Sequence, residues 1–320
     1  MPIDSNSTQP KAVDLAYLRF EAPDLSLMET FLSDFGLAVT AAKSPSGQAL
    51  LYGRGTDCDP FLYEVGEADE PRFVGMGFVM NSAEELAVLA NMEGASGIEP
   101  AETPGGGERV RFTDPQGFEV DAIVGWQEVD KGTPPQRVPV NSGENRARTG
   151  VPVRLTPGPS HVKRLGHIVV FVENFVTSEA WYKQRFGLIT TDEIWAGEKT
   201  NIMGAFLRCD RGDIPTDHHT VFLIESPDKA GQLQHAAFEV NDWDDVLLGH
   251  DFLKGKDYRP SWGIGKHILG SQVFDYWYDP YGHVVEHFSD GDLFDASKPK
   301  ELHSVETLRG VQWGQTIPHA

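Results

Sequence analysis

The sequence predicts an α+β protein built from two tandem copies of one module, with its chemistry confined to the second copy. Apolar segments suited to buried strands recur in the same order in both halves, together with helix-like segments. All eleven histidines lie at or after His161, whereas residues 1–160 contain none. The repeat therefore predicts the fold class, and the histidines direct the search for a site to the second half.

Each copy begins with a strand and a helix. Residues 14–21 read DLAYLRFE and residues 164–171 read RLGHIVVF, and both are apolar runs suited to buried strands. Helix-like segments follow at residues 25–35 and 177–186. Both end in Phe-Gly-Leu, and glycine at that point is typical of a helix C-cap.

The later part of each copy supports the same alignment. Residues 74–82, VGMGFVMNS, align with residues 234–242, QHAAFEVND, and each segment precedes another helix-like stretch. Residues 111–121, RFTDPQGFEVD, align with residues 276–286, YWYDPYGHVVE. The shared Asp-Pro-x-Gly predicts a turn between two strands. Each half thus reads as strand, helix, several strands, helix and several strands.

These patterns divide the chain into four parts. Residues 1–126 form the first module, which we expect to hold no metal, and residues 161–295 form the second, which we expect to be catalytic. Residues 127–160, rich in Pro, Gly, Arg and Ser, read as a linker. The tail, residues 296–320, is polar apart from a short patch, VQWG. We expect it to pack on the core as a strap or to remain loose.

Composition excludes several classes of partner. The formal net charge of -21 argues against a nucleic-acid partner and against binding to an anionic membrane surface. The chain has no run of eighteen apolar residues and does not open on a basic segment followed by an apolar one. The two cysteines, one in each half, are no disulfide framework. We therefore expect a reduced, cytoplasmic protein without a membrane span.

Three residues of the second copy are candidates for metal ligands. His167, His235 and Glu286 stand at corresponding depths in three predicted strands. Two imidazoles and a carboxylate can bind one face of an octahedral ion and leave adjacent positions open, which favours Fe(II) and also allows Mn(II). Taken singly, a histidine in an apolar strand is more often a core residue, and a glutamate at a strand end usually faces solvent.

The first copy serves as an internal comparison for these candidates. Its corresponding residues are Tyr17, Gly75 and Asp121, which cannot form a comparable site. Three candidate ligands that coincide in one copy and are missing from the other favour a metal site over three unrelated core residues. We therefore expect one metal ion per chain.

Further residues surround the candidate ligands in a specific pattern. Eight residues separate His267 from Tyr276, nine separate Tyr276 from Glu286, and His219 precedes a strand-like run. The motifs are Leu165-Gly166-His167, Phe206-Leu207-Arg208-Cys209, His218-His219, Gln234-His235-Ala236-Ala237-Phe238-Glu239-Val240, and Lys266-His267 with Tyr276-x-x-Asp279-Pro280-x-Gly282-x-x-x-Glu286. With these motifs, the chain from about residue 14 to residue 294 resembles the type I extradiol ring-cleaving dioxygenases of the vicinal oxygen chelate superfamily. That group includes catechol 2,3-dioxygenase and 2,3-dihydroxybiphenyl 1,2-dioxygenase.

The resemblance implies a fold and a role for each residue of the pattern. Each module would contain two βαβββ units that curl into an incomplete barrel. The matching residues are His167, His235 and Glu286 for the iron ligands, His219 for the acid–base residue, and His267 and Tyr276 for donors to the substrate oxygen. His218 is expected to lie on the opposite face of the strand from His219.

The implied activity is cleavage of a catechol-type diol by O2 at Fe(II), beside the two hydroxyl groups. The product would be a ring-opened semialdehyde or keto acid, formed in aromatic-compound catabolism, and the family also implies a homo-oligomer. Candidate pocket walls are Trp195, Phe206, Trp262, Ile264 and Phe274, each of which could equally be core. We expect a neutral, substituted or bicyclic catechol, although Arg259 and Lys266 near His267 leave an acidic catechol open.

Other functions on the same scaffold remain open at this point. A glyoxalase-like isomerase or lyase would use Zn, Ni or Mn and would not require His219, His267 and Tyr276 together. A non-catalytic protein that binds small molecules would not require a three-residue metal site. A hydroxyphenylpyruvate-type dioxygenase would share the ligands but act on a 2-oxo acid.

Overall fold

The computed structural model describes residues 9–133, 137 and 139–317. These residues form sheets of eight, ten and two strands, together with a few helices. The α+β prediction is therefore confirmed. In the described ranges, no helix is long and apolar enough to cross a membrane.

The first module is a βαβββ unit repeated twice. Its elements are β1 (Ala12–Ala22), α1 (Leu25–Phe35), β2 (Ala38–Lys43), β3 (Ala49–Arg54), β4 (Tyr63–Glu67), β5 (Arg72–Met80), α2 (Ala83–Leu89), β6 (Glu99–Pro100), β7 (Glu108–Thr113) and β8 (Glu119–Val124). The strands form one open sheet in the order β2-β3-β4-β1-β5-β8-β7-β6. The first strands of the two units, β1 and β5, are antiparallel neighbours at its centre.

The second module repeats this arrangement with one additional short strand, β12. Its elements are β9 (Val162–Val172), α3 (Phe175–Phe186), β10 (Ile189–Trp195), β11 (Ile202–Arg208), β12 (Thr216–Asp217), β13 (Val221–Glu225), β14 (Leu233–Val240), α4 (Trp243–Gly255), β15 (Pro260–His267), β16 (Val273–Tyr278) and β17 (Val284–Ser289). Strands β9 and β14 pair antiparallel at the centre of the sheet. The two βαβββ units predicted for each module are therefore present.

The described part of the tail, residues 296–317, belongs to the ten-stranded sheet and is not loose. It contains β19 (Glu301–Ser304), α5 (Val305–Arg309) and β20 (Val311–Gly314), and it follows β18 (Leu293–Phe294), which pairs with β12. Strand β19 extends the sheet beside β10, and β20 extends it beside β15. Since β10 and β15 would otherwise be the two edges of an open sheet, the tail reaches from one edge to the other. The tail thereby gives β10 and β15 one additional partner strand each. Without these partners, the backbone groups of β10 and β15 would form exposed sheet edges.

Side-chain caps and turns fix the boundaries of these elements. The Asp24 side chain accepts a hydrogen bond from the Leu27 amide at the start of α1, and Gly36 ends the helix at φ 109. Helix α3 begins at Phe175, two residues before the predicted start, because Asn174 caps it by accepting from the Thr177 amide. In the predicted Asp-Pro-x-Gly turn before β17, Asp279 Oδ1 accepts from two backbone amides.

Candidate active site

The six predicted site residues lie on, or directly beside, six neighbouring strands. Sheet order is β13-β9-β14-β17-β16-β15 in this region. His167 and Glu286 both pair in register with Ala237, one from each side, and His235 lies two residues before Ala237. Residues paired across strands share a face, as do residues two apart along a strand. The sheet therefore directs His167, His235 and Glu286 toward the same side.

Their donor atoms converge on one point. Nε2 of His167 lies 3.3 Å from Nε2 of His235, and Oε2 of Glu286 lies 3.4 Å and 3.2 Å from these two nitrogens. Metal bonds of about 2.1 Å meeting at right angles would set adjacent ligand atoms about 3 Å apart. The three separations thus fit adjacent ligands of a single small cation.

The hydrogen bonding of these side chains also fits a cation. Glu286 is fully buried, and neither carboxylate oxygen has a hydrogen-bond partner among the described residues. An uncompensated buried carboxylate is costly, and a bound cation removes that cost. Nδ1 of His235 contacts Oε1 of Gln234, which fixes the proton on Nδ1 and leaves Nε2 free as a ligand. Burial lowers the pKa of His235, which favours the neutral form that binds metal.

His219 lies directly against the candidate ligands. Its ring centroid is 4.0 Å from that of His167, and it precedes β13, the neighbour of β9. Burial, followed by the nearby charge of His167, lowers the pKa of His219 well below its usual range. At neutral pH His219 is therefore an uncharged imidazole that can accept a proton.

His267 and Tyr276 form a hydrogen-bonded pair on the other side of the ligands. Nε2 of His267 lies 2.9 Å from the Tyr276 hydroxyl, and Tyr276 pairs in register with Glu286. Burial lowers the pKa of His267 to about 4 and raises that of Tyr276 well above its ordinary value. Both groups are therefore uncharged near neutrality, so the phenol keeps its proton as a hydrogen-bond donor.

The predicted position of His218 is wrong. His218 and His219 lie in a bend between β12 and β13 and not in a regular strand, so their side chains do not alternate. Nδ1 of His218 lies 3.0 Å from Nδ1 of His219, and Nε2 of His218 lies 2.8 Å from Oδ2 of Asp192. No sequence pattern indicated Asp192, because its strand, β10, reaches this place only through pairing across the sheet.

These groups open into a cavity of about 600 Å³. Its lining is largely apolar beyond the histidines and Tyr276. The apolar side chains of the wall are Val169, Phe171, Met203, Phe206, Phe222, Ile224, Trp262, Leu269, Val284, Val305, Leu308 and Ile317. Such a cavity, with a few polar groups at one end, is typical of a small-molecule site.

The predicted pocket walls are partly correct. Phe206 and Trp262 line the cavity, whereas Trp195 and Ile264 do not. Phe274 lies behind the wall, with its ring 4.1 Å from His267 and 4.5 Å from Trp262.

Neither predicted basic residue lines the cavity. Arg259 stacks on Tyr278, and Lys266 forms an ion pair with Asp290. Helix α5 was not predicted from sequence, although Val305 and Leu308 are apolar at helical spacing within a polar tail.

The equivalent position in the first module holds an ion-pair network. Tyr17 and Asp121 occupy the places of His167 and Glu286, and the Tyr17 hydroxyl donates to Asp121 over 2.8 Å. Arg111, at the place of Tyr276, donates to both oxygens of Asp121. Although burial alone would raise it, the pKa of Asp121 is lowered, chiefly by the hydrogen bond from Arg111.

Gly75, which corresponds to His235, leaves no room for a ligand in the first module. A Cβ at this position would lie 1.8 Å from the carbonyl oxygen of Glu119. Among the described residues, the first module presents no group of three metal-ligating side chains.

Comparisons with known proteins agree with this fold. Residues 164–287 match the Glyoxalase/Bleomycin resistance protein/Dioxygenase superfamily. The chain is 28% identical over 303 residues to Metapyrocatechase 2 from Cupriavidus necator, covering 93% of this chain and 88% of that relative.

Two solved structures share the fold over nearly the whole chain. A Mn(II)-bound glyoxalase from Novosphingobium aromaticivorans has a TM-score of 0.74 and 21% identity, covering 97% of this chain and 95% of that one. The 2,3-dioxygenase LapB from Pseudomonas sp. KL28 has a TM-score of 0.72 and 19% identity, covering 93% of this chain and 99% of that one. The two-module architecture is therefore common to all three chains.

Proposed function

We propose that this chain is an extradiol dioxygenase of the vicinal oxygen chelate superfamily and that its second module opens the ring of a catechol with O2. The observation that carries the proposal is the position of His219 on one side of the candidate ligands and of the His267–Tyr276 pair on the other. An uncharged base and a phenol donor at one metal site are the groups that deprotonation of a diol requires.

Fe(II), with Mn(II) as an alternative, is the cofactor, and we propose His167, His235 and Glu286 as its ligands. Bound there, the ion would hold the diol and O2 together and provide a route for electrons between them. The protein contributes rigidity, because each ligand projects from a paired strand and not from a loop.

The remaining polar residues handle protons. His219 accepts a proton from a diol hydroxyl and later returns it to the oxygen derived from O2. Tyr276, held by His267, donates a hydrogen bond to the other diol oxygen and fixes the ring in place. Both atoms of O2 enter the product, so cleavage beside the diol yields a semialdehyde or a keto acid.

The cavity supports a catechol with an apolar substituent as substrate. One apolar part of its wall is formed by Phe222, Ile224 and, from the tail, Leu308. Lys229 and Arg309 also border the cavity but are solvent-exposed. Because exposed charges contribute little to the binding of an anion, we favour an uncharged substituent.

The fold likeness to a Mn(II)-bound glyoxalase keeps one second candidate, a metal-dependent isomerase or lyase. That reaction consumes no O2 and does not require a base paired with a phenol donor. Oxygen uptake therefore separates the two functions.

We also propose that the protein works as a homo-oligomer in the cytoplasm. Trp243 and Trp313 lie side by side with exposed rings, and Leu247 is exposed one helical turn from Trp243. Such an apolar patch supports contact with a second copy. Both cysteines are free, which supports a reducing compartment. Light scattering of the purified protein tests the assembly.

Reconstitution with Fe(II) in the absence of air, followed by aerobic addition of a panel of catechols, tests the activity. The panel should contain catechol itself, alkyl and aryl catechols, and a carboxylated catechol. We expect O2 uptake in a one-to-one ratio with substrate and a yellow ring-opened product. A protein with full iron occupancy that consumes no O2 with any member would contradict the proposal.

A further inference from the structure

Asp192, His218 and His219 form a hydrogen-bonded series that ends at the cavity. Oδ2 of Asp192 lies 2.8 Å from Nε2 of His218, whose Nδ1 lies 3.0 Å from Nδ1 of His219. All three side chains are buried. Among the described residues, no partner lies within hydrogen-bond distance of Nε2 of His219, which leaves this nitrogen for a molecule in the cavity.

The series determines where the protons lie. An ionised carboxylate only accepts hydrogen bonds, so Nε2 of His218 must carry a proton. In the neutral ring, Nδ1 of His218 is then an acceptor, and the proton between the two rings belongs to Nδ1 of His219. The Nε2 of His219 is consequently bare. This is the tautomer that can take a proton from a diol hydroxyl.

We propose that Asp192 and His218 are positioning residues that hold His219 in its proton-accepting tautomer. This inference rests on the proposed function, because it gives the bare nitrogen a diol to act on. When the diol proton moves to Nε2 of His219, Nδ1 keeps its own proton and continues to donate to His218. The positive charge that forms on His219 is then stabilised through His218 by the carboxylate of Asp192.

The surrounding residues hold the series rigid. Thr191 donates from its hydroxyl to the backbone carbonyl of His218 over 2.7 Å, and buried Arg208 donates to the Thr191 hydroxyl over 2.8 Å. The ring of Phe206 packs edge-on against both histidines, with centroids 5.0 Å and 4.7 Å away. A fixed ring orientation is required if a hydrogen bond is to select one tautomer.

A neighbouring histidine provides the matched control. Nε2 of His303 lies 3.6 Å from Oδ1 of Asp192, the oxygen that His218 does not use. His303 is more exposed than His218 and does not line the cavity. His303→Ala therefore perturbs the surroundings of Asp192 without breaking the series.

The kinetic test compares two replacements of His218 in the Fe(II) enzyme. His218→Phe fills the space but removes the acceptor, whereas His218→Asn retains an acceptor oxygen near the position of Nδ1. We expect His218→Phe to lose about 10- to 100-fold in kcat with unchanged iron content and KM for the catechol, the range found when a supporting partner is removed. His218→Asn should recover most of this loss, and His303→Ala should resemble the wild type.

A double-mutant comparison adds a second test, and Asp192→Ala alone replaces it if His218→Phe folds poorly. Asp192→Ala alone should lower kcat, but it should add nothing in the His218→Phe background, since Asp192 acts only through His218. Losses that multiply would overturn the proposal, as would His218→Asn failing as completely as His218→Phe.

The proton position can be read without turnover. In the Zn(II)-loaded protein, isotopically labelled in its histidine nitrogens, correlation spectra distinguish protonated from bare ring nitrogens. We expect His219, assigned by its absence in His219→Gln, to be protonated at Nδ1 and bare at Nε2, and His218→Phe to reverse or mix the two forms. Unchanged spectra in His218→Phe would overturn the inference even if the wild type cleaves catechols. A wild type that consumes no O2 but shows the expected spectra would instead contradict the proposed function alone.

Discussion

Arg111 donates hydrogen bonds of 2.7 Å and 3.0 Å to the two carboxylate oxygens of Asp121, at the place that Tyr276 and Glu286 occupy in the second module. In both modules a buried carboxylate stands at the same position of the last hairpin, β7–β8 in the first module and β16–β17 in the second. The first module neutralises it with a guanidinium group of its own. Among the described residues the second provides no such group, and we propose that its carboxylate binds the metal ion.

Removal of Asp121 should therefore destabilise the protein without affecting metal binding. We expect Asp121→Ala to lower the free energy of unfolding by about 3–5 kcal/mol, because it removes the fully buried carboxylate that Arg19, Arg109 and Arg111 surround. Urea unfolding of the metal-free protein measures the change. The control Glu119→Ala removes a partly exposed partner of the same arginines, and should cost about 1 kcal/mol or less. Equal losses of unfolding free energy in the two variants would contradict a larger contribution from the buried carboxylate of Asp121.

Much of this arrangement could be predicted from sequence because it repeats. The segments that carry His167, His235 and Glu286 align, in the same order, with those that carry Tyr17, Gly75 and Asp121, so one alignment gave both the repeated units and the candidate ligands. Strand periodicity then determines which side chains share a face.

The remaining features of the fold and of the site depend on contacts between segments that are distant in sequence and share no pattern. Asp192 meets His218 only because β10 pairs with β11 beside the bend that carries His218. The tail strands β19 and β20 are short and polar, and their partners lie at opposite edges of the sheet. Periodicity predicts which face of a helix or strand is buried. It does not predict which distant segment of the chain packs beside that element.

Loss of the Glu286 charge should remove the metal. In Glu286→Gln the buried group is neutral, so it neither attracts the cation nor requires one. We expect most of the iron to be lost on dialysis, measured as iron per chain. The wild type should also gain about 2.7 kcal/mol of stability at an Fe(II) concentration 100 times the Kd, and the variant should not. Glu239→Gln, on the same sheet but paired with Arg164, should retain its iron.

His219 should be dispensable for the metal but not for turnover. His219→Ala removes the proposed proton acceptor, which typically contributes about 100- to 10,000-fold to a rate. We expect kcat to fall within that range while iron content remains at the wild-type level. Iron loss from this variant would mean that the residue supports the metal and that its proposed role is misassigned.

His250 should make stability depend on pH. Its Nδ1 lies 3.1 Å from buried Asp275, and this hydrogen bond raises the pKa of His250 above its ordinary value of 6.5. Because the folded state holds the proton more tightly, the stabilisation is fully present below 6.5 and is lost as pH rises through the folded pKa. His250→Gln cannot bind this proton. Unfolding from about pH 5.5 to about pH 9 should show a gap between wild type and variant that narrows with rising pH, and a constant gap would contradict the assignment.

Helix α5 should determine how well the enzyme accepts substituted catechols. Leu308 and Val305 are the apolar residues that α5 contributes to the cavity wall, and both pack against the cluster around Phe222. Leu308→Ala removes apolar contact at this wall. At about 0.8 kcal/mol for each buried CH2, the loss of about two contacts with a substituent amounts to about tenfold in kcat/KM.

That loss should be confined to substrates that reach α5. We expect kcat/KM to fall about tenfold for an alkyl-substituted catechol and to change little for catechol itself, which occupies only the polar end of the cavity. Leu302→Ala, an exposed position on β19 outside the cavity, should affect neither substrate. The two substrates share every chemical step. The ratio of their kcat/KM values therefore separates the effect of the cavity wall from the effects of the metal and of the catalytic side chains. An equal loss for both would mean that α5 acts by closing the cavity and does not contact the substituent.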